Sequence, residues 1–89
     1  MGAIPMANPM NIICEEARAH RTVMIDAREK DGSREIREIE PYSLRPGKTQ
    51  TLLMFWCLKK NGMRSVLVRN ILEARVTGTT FNPRYPIEL

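Results

Sequence analysis

The stretch that decides the fold is Thr51-Leu52-Leu53-Met54-Phe55-Trp56-Cys57-Leu58. Seven of its eight residues are apolar, and it holds the only Trp of the chain. Turn signals bound it on both sides, with Pro46-Gly47 before it and Asn61-Gly62 after it. A short apolar run between turns predicts a strand that is buried on both faces. The run is too short to span a membrane, which needs about 20 apolar residues.

The size and composition of the chain predict one small globular domain with a modest core. It has 89 residues, of which 43% are hydrophobic and 27% are charged, and both values are ordinary for a globular protein. A chain of this length buries only about 60–65% of its unfolded surface, so oligomerisation would help to stabilise it. The net charge of +4 favours weak attraction to polyanions, and the alternative is a solvated, mildly basic surface.

The cysteines and the lack of a targeting signal predict a cytoplasmic protein. Cys14 and Cys57 are too few for a disulfide framework, and both have apolar neighbours, among which a free Cys acts as a small hydrophobe. No apolar segment follows a basic start, so the sequence predicts no signal peptide. The Met-Gly start resembles a myristoylation signal, but Met6 stands where Ser or Thr is needed.

The patterns along the chain predict one helix followed by about five strands. Residues 1–8 lack periodicity and are predicted to form a flexible tail, whereas residues 9–89 are predicted to form a single domain. Asn8 favours the N-cap position and Pro9 suits the first helical position, which predicts a helix over residues 9–20. The predicted strands are residues 22–27, 34–39, 51–58, 63–68 and 71–77, with residues 42–45 continuing the second one as extended chain.

The spacing of apolar residues predicts the shape of the sheet. Ile36 and Ile39 are three residues apart, and a period of two cannot bury both, which predicts a bulge or bend near residues 37–38. In the last strand, the side chains of three alternate residues are predicted to point into the core: Leu72, Ala74 and Val76. A flat five-stranded sheet would leave exposed edges, whereas closure removes them. The fold class predicted is therefore mainly β, a strongly bent, five-stranded small β-barrel behind an N-terminal helix.

Several segments follow one known arrangement in their order and spacing. Arg37-Glu38-Ile39-Glu40-Pro41-Tyr42-Ser43-Leu44-Arg45 resembles the Arg-x-x-Glu-Pro-Tyr-x-Leu segment of the WYL-domain family. Leu52-Leu53-Met54-Phe55-Trp56-Cys57 resembles the strand that gives this family its name. Arg64-Ser65-Val66-Leu67-Val68-Arg69-Asn70-Ile71 resembles the strand that follows, and residues 74–85 resemble the tail of one branch. The match covers nearly the whole chain from Asn11 onward.

The resemblance implies an Sm-like or SH3-like small barrel with a regulatory role in prokaryotes. Members of the family are usually ligand-sensing modules attached to a DNA-binding helical domain. Their supposed ligands are nucleic acids or nucleotide signals, held by arginines and by the name-giving aromatic residue. The partners implied for this chain are such a ligand, a DNA-binding partner protein and a second copy in a homodimer, with no membrane partner.

Carried over to this chain, the resemblance implies a ligand site formed by Arg64, Arg69, Tyr42, Arg45 and Arg37. Arginine binds phosphate through a planar fork with charge-assisted hydrogen bonds. A base that stacks on an aromatic face gains about 1–3 kcal/mol.

Each candidate also has a structural alternative. Arg64 could pair with Glu38 or Glu40, and Tyr42 or Trp56 could serve packing instead of stacking. The basic residues near the turns, Lys59, Lys60 and Arg34, are predicted to form a solvated rim.

The chain departs from the family pattern at three points. Thr51-Leu52-Leu53 stands where the name-giving Trp-Tyr-Leu would be, which removes the aromatic group. The family's later Asp-Arg pair is Arg69-Asn70 here, and a shift of one residue reverses the face of a strand. No second or third helix is predicted before the barrel. These departures favour the alternative function, a protein-interaction or oligomerisation module with no ligand of its own. If the candidate arginines point to different sides, the sensing hypothesis weakens.

The inventory of reactive groups predicts no enzyme, no metal site and no cofactor. His20 is the only histidine, and no second ligand stands at metal-binding spacing from it. No Ser-His-Asp or Cys-His set can be assembled, and no Gly-rich phosphate loop is present in the sequence. The carboxylate pairs alternate with arginines, which is typical of charge balancing.

Overall fold

The fold is one helix followed by five strands in a single antiparallel sheet. A computed structural model describes residues 8–89. The elements are α1 Pro9–Arg18, β1 Arg21–Arg28, β2 Arg34–Pro46, β3 Thr51–Cys57, β4 Gly62–Leu67, a 3₁₀ turn Val68–Asn70, and β5 Ile71–Thr80. The strand order is β4-β3-β2-β1-β5. The predicted mainly β fold behind an N-terminal helix is confirmed, but the predicted closure into a barrel is not. The sheet is open, because its edge strands β4 and β5 do not pair with each other within residues 8–89.

The helix begins where the sequence predicts and ends two residues earlier. The Asn8 side chain accepts a hydrogen bond from the Met10 backbone N–H at 2.9 Å, which caps the first turn. Ile13 and Ala17 bury one face of the helix against the sheet. His20 has a left-handed φ of 56°, so the chain leaves the helix before it. No helix in the described part of the chain is long and apolar enough to span a bilayer. Residues 1–7 of the predicted tail lie outside the described residues.

The second strand is continuous over 13 residues, and its irregularity lies at a different place from the predicted one. Ile39 is fully buried, whereas Ile36 is 64% exposed, so ordinary alternation holds. The pairing with β1 is regular across residues 37–38, and the predicted bulge there is wrong because Ile36 stays in solvent. The irregularity lies farther on, between Pro41 and Ser43 in the pairing with β3. The first half of β2 thus pairs with β1 and the second half with β3, which folds the sheet around one core.

A bulge in β5 changes which of its side chains enter the core. The register with β1 skips Leu72, so Ile71 is buried and Leu72 is left exposed. Ala74 packs against the core as predicted, whereas Val76 is 65% exposed. The inward placement of Leu72 is wrong because one extra residue reverses the face of a strand, which alternation alone does not reveal.

The core lies on one face of β3 and is closed by the helix. Leu53, Phe55 and Cys57 are completely buried, and they pack with residues from the helix and the other strands. The opposite face of β3 is only half-buried, so the predicted burial on both faces is partial. The C-terminal segment, residues 81–89, returns across that opposite side. There the Glu88 backbone N–H donates to the Tyr42 carbonyl at 2.7 Å.

Candidate functional site

A groove of about 650 Å³ opens between the β1–β2 hairpin and the edge strand β4. Its apolar floor is formed by Leu52, Val66 and Leu67. The pairing of β3 with β4 places Leu52 opposite Leu67, whereas Val66 pairs with the core residue Leu53. Sites for small ligands have volumes of about 300–1,000 Å³ and combine an apolar lining with a few polar groups. The groove has this size and this character. Within residues 8–89, no aromatic side chain lines it.

Three cations stand around this floor without ion pairs in the described part of the chain: Arg28, Lys30 and Arg64. Arg28 and Lys30 belong to the hairpin, and Arg64 belongs to the facing strand. The Arg64 Nη1 donates to the Met63 carbonyl at 2.8 Å, which leaves its other guanidinium donors free of side-chain acceptors. Ser65 and Asn70 add a hydroxyl and an amide to the lining.

The hairpin that carries Lys30 is held in one shape by its own turn. The Gly32 N–H donates to the Glu29 carbonyl at 3.0 Å, and the Glu29 N–H donates to the Ser33 carbonyl at 2.7 Å. Gly32 has a φ of 88°, which favours glycine. The Asp31 carboxylate accepts from the Ser33 hydroxyl at 2.6 Å and from its N–H at 2.9 Å, and these bonds lower the pKa of Asp31. Lys30 is therefore presented from an ordered turn.

Arg37 lies at the inner end of the groove, but its charge is balanced. Its guanidinium pairs with Glu29 and with Glu35, the latter at 2.9 Å, and its side chain is only 11% exposed. The hydrogen bond from Arg37 is the main reason that the pKa of Glu35 is lowered. The guanidinium carbon also lies 6.0 Å from the centroid of Phe55. Arg37 therefore packs over the core residue Phe55 and, through its two ion pairs, holds the β1–β2 hairpin in place.

The structure brings two of the five predicted site residues together. Arg37 and Arg64 line the groove. Arg69 is exposed in the 3₁₀ turn and lies outside the groove lining. Tyr42 and Arg45 border a separate depression of about 270 Å³ beside the C-terminal segment, where Arg45 pairs with a glutamate of that segment at 3.0 Å. The candidate arginines thus point to different sides.

Tyr42 is a packing residue in this structure. It is 2% exposed, and its hydroxyl donates to Glu40 and accepts from the Arg84 N–H, both at 2.9 Å. Burial is the main cause that raises the pKa of Tyr42 to about 12. Its ring meets Phe81 and Tyr85 edge to face, with centroids 6.0 and 5.5 Å apart. Its faces are therefore occupied by the protein itself.

The sequence prediction missed the two cations of the hairpin. Asp31-Gly32 is a local turn signal, but the position of this turn across from β4 depends on strand order, which the local pattern does not contain. The family's Asp-Arg pair is Arg69-Asn70 in this chain, and this one-residue shift of the arginine indicated that Arg69 faces away from the site. In the structure Asn70 lines the groove and Arg69 does not. Within residues 8–89, no group of three or more His, Cys, Asp or Glu side chains is placed to hold a metal ion.

Comparison with known proteins supports the fold. No protein-family model matches the chain, and no curated protein matches it. Among solved structures, the chain is similar to proteasome accessory factor B/C (PafBC) of Arthrobacter aurescens, with a TM-score of 0.71 and 14% sequence identity over 88% of this chain. The chain spans 13% of the length of that protein. At this identity the similarity shows the fold alone.

Proposed function

We propose that this chain is a WYL-like regulatory domain whose groove binds a nucleic-acid or nucleotide ligand through its phosphate. The sequence motifs support this proposal, and the fold that the chain shares with PafBC is compatible with it. A DNA-binding partner protein would convert ligand binding into transcriptional regulation. The free thiols of Cys14 and Cys57 suit a reducing cytoplasm.

The observation that carries the proposal is the group of unpaired cations around an apolar floor. Four cations and two carboxylates line the groove, which leaves a net charge of +2 (4 − 2). Two of the four, Arg28 and Arg64, are arginines without an ion pair in the described residues, and each offers a fork for phosphate oxygens. A phosphate would gain charge-assisted hydrogen bonds without displacing a carboxylate. The apolar floor would cover the sugar or the base.

The position of the groove suggests how binding would be transmitted. Arg64 stands on the edge strand β4, whereas Arg28 and Lys30 stand on the β1–β2 hairpin. One ligand that contacts both would bridge two parts of the open sheet that share no backbone pairing in the described chain. Such a ligand binds the bridged state better than the separated state and therefore shifts the population toward it. An attached partner that contacts either part would sense this shift.

The test is binding of a short, fluorescently labelled single-stranded oligonucleotide, measured by anisotropy at two salt concentrations. Affinity should fall as salt rises, because neutralised phosphates release counterions. Arg64→Ala should weaken binding by about 1–3 kcal/mol and reduce the salt slope by about one. Arg69→Ala is the matched control, since it removes an exposed arginine outside the groove, and Lys60→Ala is a second control on the rim.

Three results would contradict the proposal. The first is that the wild-type protein shows no saturable binding at low salt. The second is that Arg64→Ala binds as tightly as the wild type, and the third is that Arg69→Ala loses as much affinity as Arg64→Ala.

The second candidate function is a protein-interaction module with no ligand of its own. Two observations favour it. Leu52 lies in the groove where the family has an aromatic residue, and Tyr42 is packed away from solvent. If the wild type and all three variants fail to bind the oligonucleotide, this second function replaces the first.

A further inference from the structure

The outward surface of β5, β1 and β2 carries an exposed aliphatic side chain in a ring of charges. Residues that are paired across these strands form a row, and the side chains of one row point to the same face of the sheet. The helix α1 packs on the opposite face, which is the core side. Ile36 stands there with 64% of its surface exposed, beside a depression of about 310 Å³. We call this surface the outer face and define it by six residues: Met24, Asp26, Arg34, Ile36, Glu73 and Arg75.

The outer face is electrically neutral on a basic chain. Asp26 pairs with Arg34, and Glu73 pairs with Arg75 at 3.3 Å. Glu38 stands at its border, in the same row as Met24. The chain as a whole carries a net charge of +4, so its excess positive charge lies elsewhere. A polyanion is therefore not drawn to this face, whereas a second copy of the same chain can pack on it without opposing a local excess of like charge.

We propose that the outer face is a self-association surface on which a second copy of this chain packs face to face. A two-fold axis parallel to β1 exchanges β2 and β5, so β2 of each copy lies over β5 of the other. Met24 pairs with both Glu38 and Arg75, which puts the three in one row. The axis therefore places Glu38 of each copy opposite Arg75 of the other, and it places Ile36 over the stems of Glu73 and Arg75.

The size of the face sets the strength of this association. Three strands about 4.8 Å apart, each contributing about six residues at about 3.3 Å, span a flat area of roughly 300 Å². Stable interfaces bury about 800 Å² on each partner, so the dimer is weak and forms at high protein concentration. This surface is separate from the ligand groove, so the proposal is independent of ligand binding.

The test is sedimentation equilibrium of the wild type and matched variants over a range of concentrations. Ile36→Lys should raise the dissociation constant of the dimer about 100-fold, because an aliphatic contact worth about tenfold is lost in both copies. Val76→Lys is the control, because Val76 is 65% exposed but lies on the other face of the sheet. It is paired with the core residue Val23, so its side chain is not part of the outer face. This substitution adds the same charge and should leave the dissociation constant nearly unchanged. Circular dichroism verifies that both variants are folded.

A charge exchange tests the orientation of the two copies. Arg75→Glu should weaken the dimer, because it places two glutamates opposite each other, and adding Glu38→Arg to the same chain should restore it. The proposal is overturned by a wild type that stays monomeric at every concentration, by equal loss in Val76→Lys and Ile36→Lys, or by no loss in Ile36→Lys. It is also overturned if the double exchange fails to restore association.

Discussion

Removing Arg84 should destabilise the fold because it leaves a buried carboxylate without its cation. Glu40 is 4% exposed, and it accepts hydrogen bonds from Arg84 Nε at 3.0 Å and from the Tyr42 hydroxyl at 2.9 Å. Breaking a buried ion pair from one side costs about 3–5 kcal/mol. The Arg84 side chain is 43% exposed and the Tyr42 bond remains, so solvent screening lowers this cost to about 2 kcal/mol.

Arg84 also stabilises the fold through the indole ring of Trp56. Its guanidinium carbon lies 4.2 Å from the ring centroid, and such a contact at an exposed site is worth about 0.5–1 kcal/mol. Arg84→Met keeps an apolar cover on Trp56 but removes both charge effects. We therefore expect it to lower the free energy of unfolding by about 2–3 kcal/mol, as measured by urea denaturation followed by Trp fluorescence.

A double-mutant cycle with Glu40→Gln separates the two contributions. Once Glu40 is neutral, Arg84→Met should cost only the indole contact, about 0.5–1 kcal/mol. The coupling energy between the two positions should then be about 1.5–2 kcal/mol. If the two substitutions add within about 0.5 kcal/mol, the pair is not coupled, and the C-terminal segment is held by its other contacts.

Three other substitutions probe the groove, the ion pairs and the helix cap. Leu52→Tyr should tighten binding of the labelled oligonucleotide by about 1–3 kcal/mol, because it restores a stacking ring to the groove floor; unchanged or weaker binding would refute the base-covering role of this position. The hydrogen bond from Arg21 lowers the pKa of Glu16. The pair therefore stabilises the folded protein above the ordinary carboxyl pKa of 4.5, and this stability is lost as the pH falls through the lowered pKa of Glu16 in the folded state. The melting temperature of the wild type should therefore fall more steeply on acidification than that of Glu16→Gln, and parallel curves would argue against the pair. Asn8→Ala should cost about 1 kcal/mol in urea denaturation by removing the cap, whereas Asn8→Ser should cost almost nothing.

Local patterns predicted the elements of the fold because their causes are local. Asn8 followed by Pro9 marks a helix start through hydrogen bonding and fixed backbone geometry, and both act within one turn. The core of β3 follows from a run of apolar residues that needs no partner to be recognised. The face of β5 was not predictable in the same way, since the bulge at Leu72 depends on the register with β1.

The candidate site was only partly predictable because it is assembled from distant strands. Arg64 was found through a motif, but its companions Arg28 and Lys30 lie on a hairpin whose position follows from the strand order. Tyr42 belongs to the same motif, yet the bulge in β2 and the returning C-terminal segment bury it. Burial of this kind is a tertiary property, and residue type alone does not reveal it.

The rate at which the buried thiol of Cys57 reacts with an alkylating reagent measures how often the structure opens near the sheet edge. Cys57 is fully buried at the end of β3, and its cross-strand partner in β4 is Gly62, which has no side chain to shield it. An alkylating reagent reaches this buried sulfur only when the structure around it opens, so the labelling rate reports the frequency of such openings, separation of the edge strand β4 among them. A molecule that joins β4 to the hairpin would slow the labelling of Cys57. Cys14 is partly accessible on the helix and supplies the fast reference in the same experiment.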